Sequence, residues 1–146
     1  MRITTRGRYA LRASLALARR LSKDARPVSI SGLAEEENIS SVFLEQIFFK
    51  LRKAGIVSSV RGPGGGFYFT RPIDRITVRE ILKAAGEEID LNTCDKRLGT
   101  CDRIDSCLSH QVWVDVVNMI NNYLEGLTLA AILKRGGTFE EIHAAS

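Results

Sequence analysis

Every cysteine of the chain lies in one stretch, CDKRLGTCDRIDSCLSH, which ends on one of only two histidines. The spacing is Cys94-x6-Cys101-x5-Cys107-x2-His110. Three thiols and an imidazole make four donors, the number that a zinc ion or an iron–sulfur cluster takes from a protein. Zinc ribbons and knuckles usually hold a close Cys-x2–4-Cys pair that grips a single ion. The wider spacing here suits a cluster whose ligands are divided between two irons, although soft thiolates serve either metal. The intervening Asp95, Lys96, Arg97, Asp102, Arg103 and Asp105 describe a polar, partly exposed loop, in which thiolates are open to oxidants. Unligated thiols or a redox pair are the plainer alternatives. His110, at the start of an amphipathic run, has an alternative of its own as a capping or interface residue.

A second group of residues has the chemistry of nucleic-acid recognition. The run SVFLEQIFFKLRKAG reads as a helix capped by Ser40, with Leu44, Ile47, Phe48 and Leu51 on one apolar face. Its opposite face carries Val42, Gln46, Phe49, Lys50 and Lys53, flanked by Phe43 and Glu45. Groove-reading side chains usually sit at the N-terminal end of such a helix, here Ser41 to Gln46. Gln can pair with an adenine edge, Glu can accept from cytosine N4, and Phe can touch a thymine methyl. Lys50 and Lys53 suit phosphates better. Two β-rich runs, 56–60 and 67–70, flank RGPGGG, which reads as a hairpin whose Arg61 is the charge best placed to reach DNA. The backbone N–H groups of Gly62 and Gly64 can approach a phosphate closely.

The elements that must position these groups follow from periodicity. Residues 5–22 read as a helix capped by Thr4 or Thr5, with Leu11, Leu15 and Ala18 as its buried stripe. Pro27 separates it from a short helix at about 31–37, and a turn at Asn38-Ile39 leads into the reading helix, which Gly55 stops. Thr77 and Glu80 form a capping box for a fourth helix that closes at Gly86. A long amphipathic helix begins near Ser109, with Trp113, Val117, Ile120, Leu124 and Leu127 as its stripe and Val112 and Val116 broadening it; Gly126 ends it. Thr128 caps a short last helix, LAAILKRGG, and TFEE at 138–141 offers another capping box before a loose tail. The expected fold class is mainly α with a small β-hairpin. Helix, short helix, turn, helix and hairpin is the order of a winged helix-turn-helix.

Charge supports a polyanionic partner for the first half. Residues 1–75 carry fourteen Lys and Arg against six Asp and Glu, whereas residues 76–146 carry seven against eleven. No apolar run is long enough to span a membrane. Arg6, Arg8, Arg12, Arg19 and Arg20 interrupt any signal-peptide core, which makes the cytoplasm the expected compartment. Thiols stay reduced there, and three cysteines cannot pair off completely. With no Cys-x-x-Cys and no nucleotide-binding fingerprint, neither an enzyme nor a small-molecule substrate is expected.

MRITTRGRYALRA, FLEQIFFKLRKAGIVSSVRGPGGGFY and the three-cysteine loop followed by His110 and Trp113 together resemble the IscR-like family of bacterial iron–sulfur cluster regulators, over about residues 1–135. The resemblance implies a homodimer with the long helix, and so Trp113, Val117, Ile120 and Leu124, at the two-fold interface. It implies a [2Fe-2S] cluster on Cys94, Cys101, Cys107 and His110. It further implies a double-stranded DNA operator, mainly repression, and target genes of iron–sulfur cluster assembly. Ser40, Gln46, Arg61 and Pro63 match positions that approach DNA in the family, and Glu45 matches one that selects between operator types. The division that follows is a winged helix-turn-helix over 1–75, a linking helix and cluster loop over 76–108, a dimerisation helix and short last helix over 109–135, and a tail over 136–146. The chain departs from the family pattern in its x6 spacer, where x5 is common, and in Val42, where a small hydroxyl is usual. The nitric-oxide-sensing relatives use a [4Fe-4S] cluster and an N-terminal carboxylate, but no Asp or Glu precedes Asp24 here, which favours His110 as fourth ligand.

Overall fold

A computed structural model of the chain describes residues 2–90 and 103–144. Helix α1 (Thr5–Lys23) is capped by Thr4, whose hydroxyl accepts the Gly7 N–H. Its buried residues are Gly7, Ala10, Ala13, Ser14, Ala16, Leu17 and Ala18. The expected stripe is therefore turned: Ala18 is buried, but Leu11 and Leu15 pack at the edge of the core. The reason is steric. Small side chains let other helices approach the α1 backbone, and the leucines fill the wider gaps at its flanks.

Helices α2 (Ile30–Glu37) and α3 (Ser41–Lys53) form the helix-turn-helix. Asn38 adopts a left-handed conformation at the end of α2, the expected turn. Ser40 caps α3 by accepting the Phe43 N–H. Leu44, Ile47, Phe48 and Leu51 are all fully buried, as their spacing predicts. Strands β1 (Val57–Val60) and β2 (Gly66–Phe69) pair antiparallel, with Val57 opposite Phe69 and Val60 opposite Gly66. Val28, in the link between α1 and α2, adds a bridge to Phe67 that sequence periodicity does not reveal. Its N–H donates to the Phe67 carbonyl at 3.0 Å, and the Phe67 N–H donates back at 2.8 Å.

Helix α4 (Val78–Ala84) begins with the expected capping box. The Thr77 hydroxyl accepts the Glu80 N–H at 3.2 Å, and the Glu80 carboxylate accepts the Thr77 N–H at 2.9 Å. Partial burial alone would raise the Glu80 carboxyl, but the Thr77 N–H and the Arg71 guanidinium outweigh it and hold the group below its ordinary value. Helix α5 (Leu108–Gly126) meets the core at its C-terminal end: Val78 N–H donates to Leu127 O and Leu129 N–H to Ile76 O. Leu129, which opens α6 (Leu129–Ala144), is fully buried. That last helix is longer than expected. It does not stop at Gly136-Gly137, and TFEE lies inside it instead of capping a new one. Glycine weakens a helix by about 1 kcal/mol but keeps its N–H donor, so it does not break the ladder as proline would. None of the helices among the described residues is long and apolar enough to cross a membrane.

Candidate nucleic-acid interface and the cysteine-rich segment

The core face of α3 fixes its opposite face outward. Ser40, Ser41, Val42, Glu45 and Gln46 are exposed together at the helix N-terminus, with Val42 at 63%. The hydroxyl, carboxylate and amide groups match the donors and acceptors of base edges in a major groove. Phe43 is half-buried instead, its ring edge-on to Tyr9 at 5.7 Å, so it ties the start of α3 to α1. Lys50 is half-buried too. Its ammonium reaches the end of α4, 3.6 Å from where a Cβ on Gly86 would lie.

The hairpin holds Arg61, Gly62, Pro63 and Gly64 at its exposed tip. Arg52, in the last turn of α3, has a positional role. Its guanidinium donates to the Ser59 hydroxyl of β1 at 3.4 Å and sits 5.8 Å from the centre of the exposed Phe49 ring. It thereby links the reading helix to the wing, a role that only a tertiary contact reveals.

The basic character of α1 divides into two parts. Arg12 pairs with Glu37, and Arg19 and Arg20 pair with Glu36, which straps α1 to α2. Those charges serve the fold, so any contribution of α1 to a polyanion falls to Arg2, Arg6 and Arg8 at its N-terminal end. Arg8 also donates to the Ile3 carbonyl at 3.3 Å.

Of the four candidate metal ligands, Cys94 and Cys101 lie outside the described residues. Among the described residues no three His, Cys, Asp or Glu side chains converge as a metal site. Cys107 is half-buried, in no disulfide, and occupies the N-cap position of α5 without a capping hydrogen bond from its side chain; His110 stands in the first turn. Residues three apart share a helix face, so these two can reach one ligand. The first turn of α5 brings no acidic side chain, and a helix N-terminus favours an anionic group such as a thiolate-ligated cluster. The donor set therefore fits an iron–sulfur cluster in ligand type.

Helix α5 has no buried residue. Val117, Ile120 and Leu124 are half-buried, while Trp113 is 46% exposed. A second apolar row stands beside them: Val112, Met119 and Tyr123 are exposed, Met119 at 71%. Met119 and Tyr123 are missing from the sequence-derived face, although their spacing from Val112 and Val116 is helical. At 100° per residue the two rows lie about 110° apart, which makes the apolar face of α5 broad.

The model of the Rrf2 family, described as an iron-dependent transcriptional regulator, matches residues 3–135. The HTH-type transcriptional regulator IscR of Escherichia coli is 40% identical over 133 residues, covering 91% of this chain and 80% of that protein. Among solved structures, T. potens IscR is similar with a TM-score of 0.72 at 30% identity, over 93% of this chain and 88% of that one. CymR, the global cysteine regulator of B. subtilis, is similar with a TM-score of 0.77 at 26% identity, over 92% and 98%.

Proposed function

The chain belongs to the Rrf2 family of transcriptional regulators and is IscR-like within it, and on that premise we propose that it is a dimeric, cytoplasmic repressor that senses iron–sulfur status. The observation that carries the reading is the outward face of α3. Ser41, Glu45 and Gln46 stand exposed at its N-terminal end while four buried residues lock its orientation. In this reading α3 enters a major groove, Gln46 and Glu45 read base edges, and Ser40 and Ser41 sit at the groove entrance with Val42. Arg61, with the N–H groups of Gly62 and Gly64 beside Pro63, approaches the sugar–phosphate backbone or minor groove from the wing.

Cys94, Cys101, Cys107 and His110 hold a [2Fe-2S] cluster in this reading. When bound, it supplies a redox-active and oxidant-labile centre. Trp113, Val117, Ile120 and Leu124, with Met119 and Tyr123, bury the apolar face of α5 against a second copy. Two-fold symmetry then sets two half-sites of a pseudo-palindromic operator about one helical turn apart. The operators are those of iron–sulfur cluster assembly genes. Regulation follows from any difference in operator affinity between the loaded and cluster-free forms.

Anaerobic reconstitution followed by iron, sulfide and zinc analysis tests the cofactor. An operator selection run with loaded and cluster-free protein side by side tests the rest. A colourless protein holding zinc and no iron would leave a cluster-free repressor. No preference for any genomic sequence over scrambled DNA at about 150 mM salt would remove the regulator reading.

A further inference from the structure

Helix α1 starts badly by its own sequence. Its first turn contains no acidic residue and carries Arg6, with Arg8 following, cations where the helix dipole favours anions. The missing anion comes from another element. Glu87, just past the end of α4, places its carboxylate against the Thr4 hydroxyl, which donates to Glu87 Oε1. Thr4 is also the residue that caps α1 by accepting the Gly7 N–H. A two-step relay therefore runs from the α4 end, through the cap, into the α1 backbone.

The fit is close enough to explain a residue type. A Cβ at Gly7 would lie 2.5 Å from Glu87 Cγ and 2.8 Å from Cδ, so the glycine in TTRGRYA is the space that Glu87 occupies. The same α4 end gathers cations from two helices. A Cβ on Gly86 would lie 3.6 Å from Lys50 Nζ and 3.9 Å from an Arg6 guanidinium nitrogen. Lys50 belongs to α3 and Arg6 to α1, so side chains of both helices lie near Gly86, while Glu87 itself meets α1.

We propose that Glu87 is a positioning residue for DNA binding: it sets the first turn of α1, and with it Arg6, against phosphates. This inference rests on the operator-binding reading above.

The test uses the full-length protein and the operator from the selection, with affinity measured by fluorescence anisotropy across a salt series. Glu87→Ala is expected to weaken binding about fivefold to tenfold and to flatten the plot of log affinity against log salt by about one contact's worth. Glu87→Gln keeps the size and an acceptor for Thr4 but loses the charge, and is expected to fall between. It also serves where Glu87→Ala fails to fold. Gly7→Ala, which displaces the Glu87 side chain, should match Glu87→Ala, and the double variant should be no weaker than either alone. Arg6→Ala should add nothing to Glu87→Ala. A general loss of stability would lower the melting temperature without changing the salt slope. Wild-type binding with unchanged affinity and slope in both Glu87 variants would overturn this inference alone. Failure of the wild-type protein to bind any operator would overturn the operator reading and this inference together.

Discussion

Replacing Gly66 with alanine should unseat the wing from the body of the domain. Gly66 opens β2 with a φ of 153°, a conformation that L-residues rarely adopt. A Cβ there would come within 3.0 Å of the Val28 carbonyl carbon and oxygen and of the Ser29 N. These are backbone atoms, so no rotamer change relieves the clash, and β2 must separate from the α1–α2 link. The separation breaks the paired Val28–Phe67 hydrogen bonds, at 3.0 and 2.8 Å. Each contributes about 0.5–1.5 kcal/mol net, and the strained backbone adds about 1–3 kcal/mol. The expected loss is therefore about 4 kcal/mol, a large share of the 5–15 kcal/mol that holds a domain of ordinary stability. Gly64→Ala is the matched control. Its φ is 72°, but nothing lies within 4 Å of the added carbon, so only the conformational cost of about 1 kcal/mol applies. Urea unfolding followed by circular dichroism, with unchanged slopes, measures both. Equal destabilisation by the two substitutions, or less than about 0.5 kcal/mol from Gly66→Ala, would refute the steric reasoning.

Further outcomes follow from the structure and from the proposed function. Cys101→Ala should abolish the visible absorption of a reconstituted cluster and leave a folded dimer, read by spectroscopy and sedimentation. Arg61→Ala should weaken operator binding, reduce its salt slope by about 0.9 and leave the cluster spectrum unchanged. Ile120→Glu should convert the dimer to a monomer in light scattering, because it places a charge in the apolar face of α5. Thr77→Ala should cost about 1 kcal/mol through loss of the α4 cap. The Glu80 carboxyl is held low in the folded chain. Its contribution to stability is therefore complete above the ordinary glutamate range and fades as pH falls through the lowered folded value. Glu80→Gln should remove that portion of the acid dependence, measured as the difference between urea midpoints at pH 7 and pH 4.

Local patterning made the reading helix legible in the sequence. Ser40 at its cap and the buried quartet of Leu44, Ile47, Phe48 and Leu51 depend on neighbours three or four residues away, so chain order reveals them. The capping box of α4 and the hairpin around RGPGGG were legible for the same reason. The stripe of α1 was not. Periodicity alone weighs Leu above Ala, whereas close helix packing buries the alanines and leaves Leu11 and Leu15 at the edge. The run of α6 past Gly136-Gly137 was misread because two glycines look like a stop, while they only weaken a helix.

By itself, the sequence determined the types and order of the groups: a polar reading face, a glycine-rich wing, and three cysteines followed by a histidine. Tertiary structure decided how they are held, because contacts between residues far apart in the chain leave no periodic trace. Val28 anchors the wing, Arg52 spans from α3 to β1, and Lys50 turns toward the end of α4. Glu87 supplies, from 83 residues away, the anion that the first turn of α1 lacks, and its side chain fills the space left by the missing Cβ of Gly7.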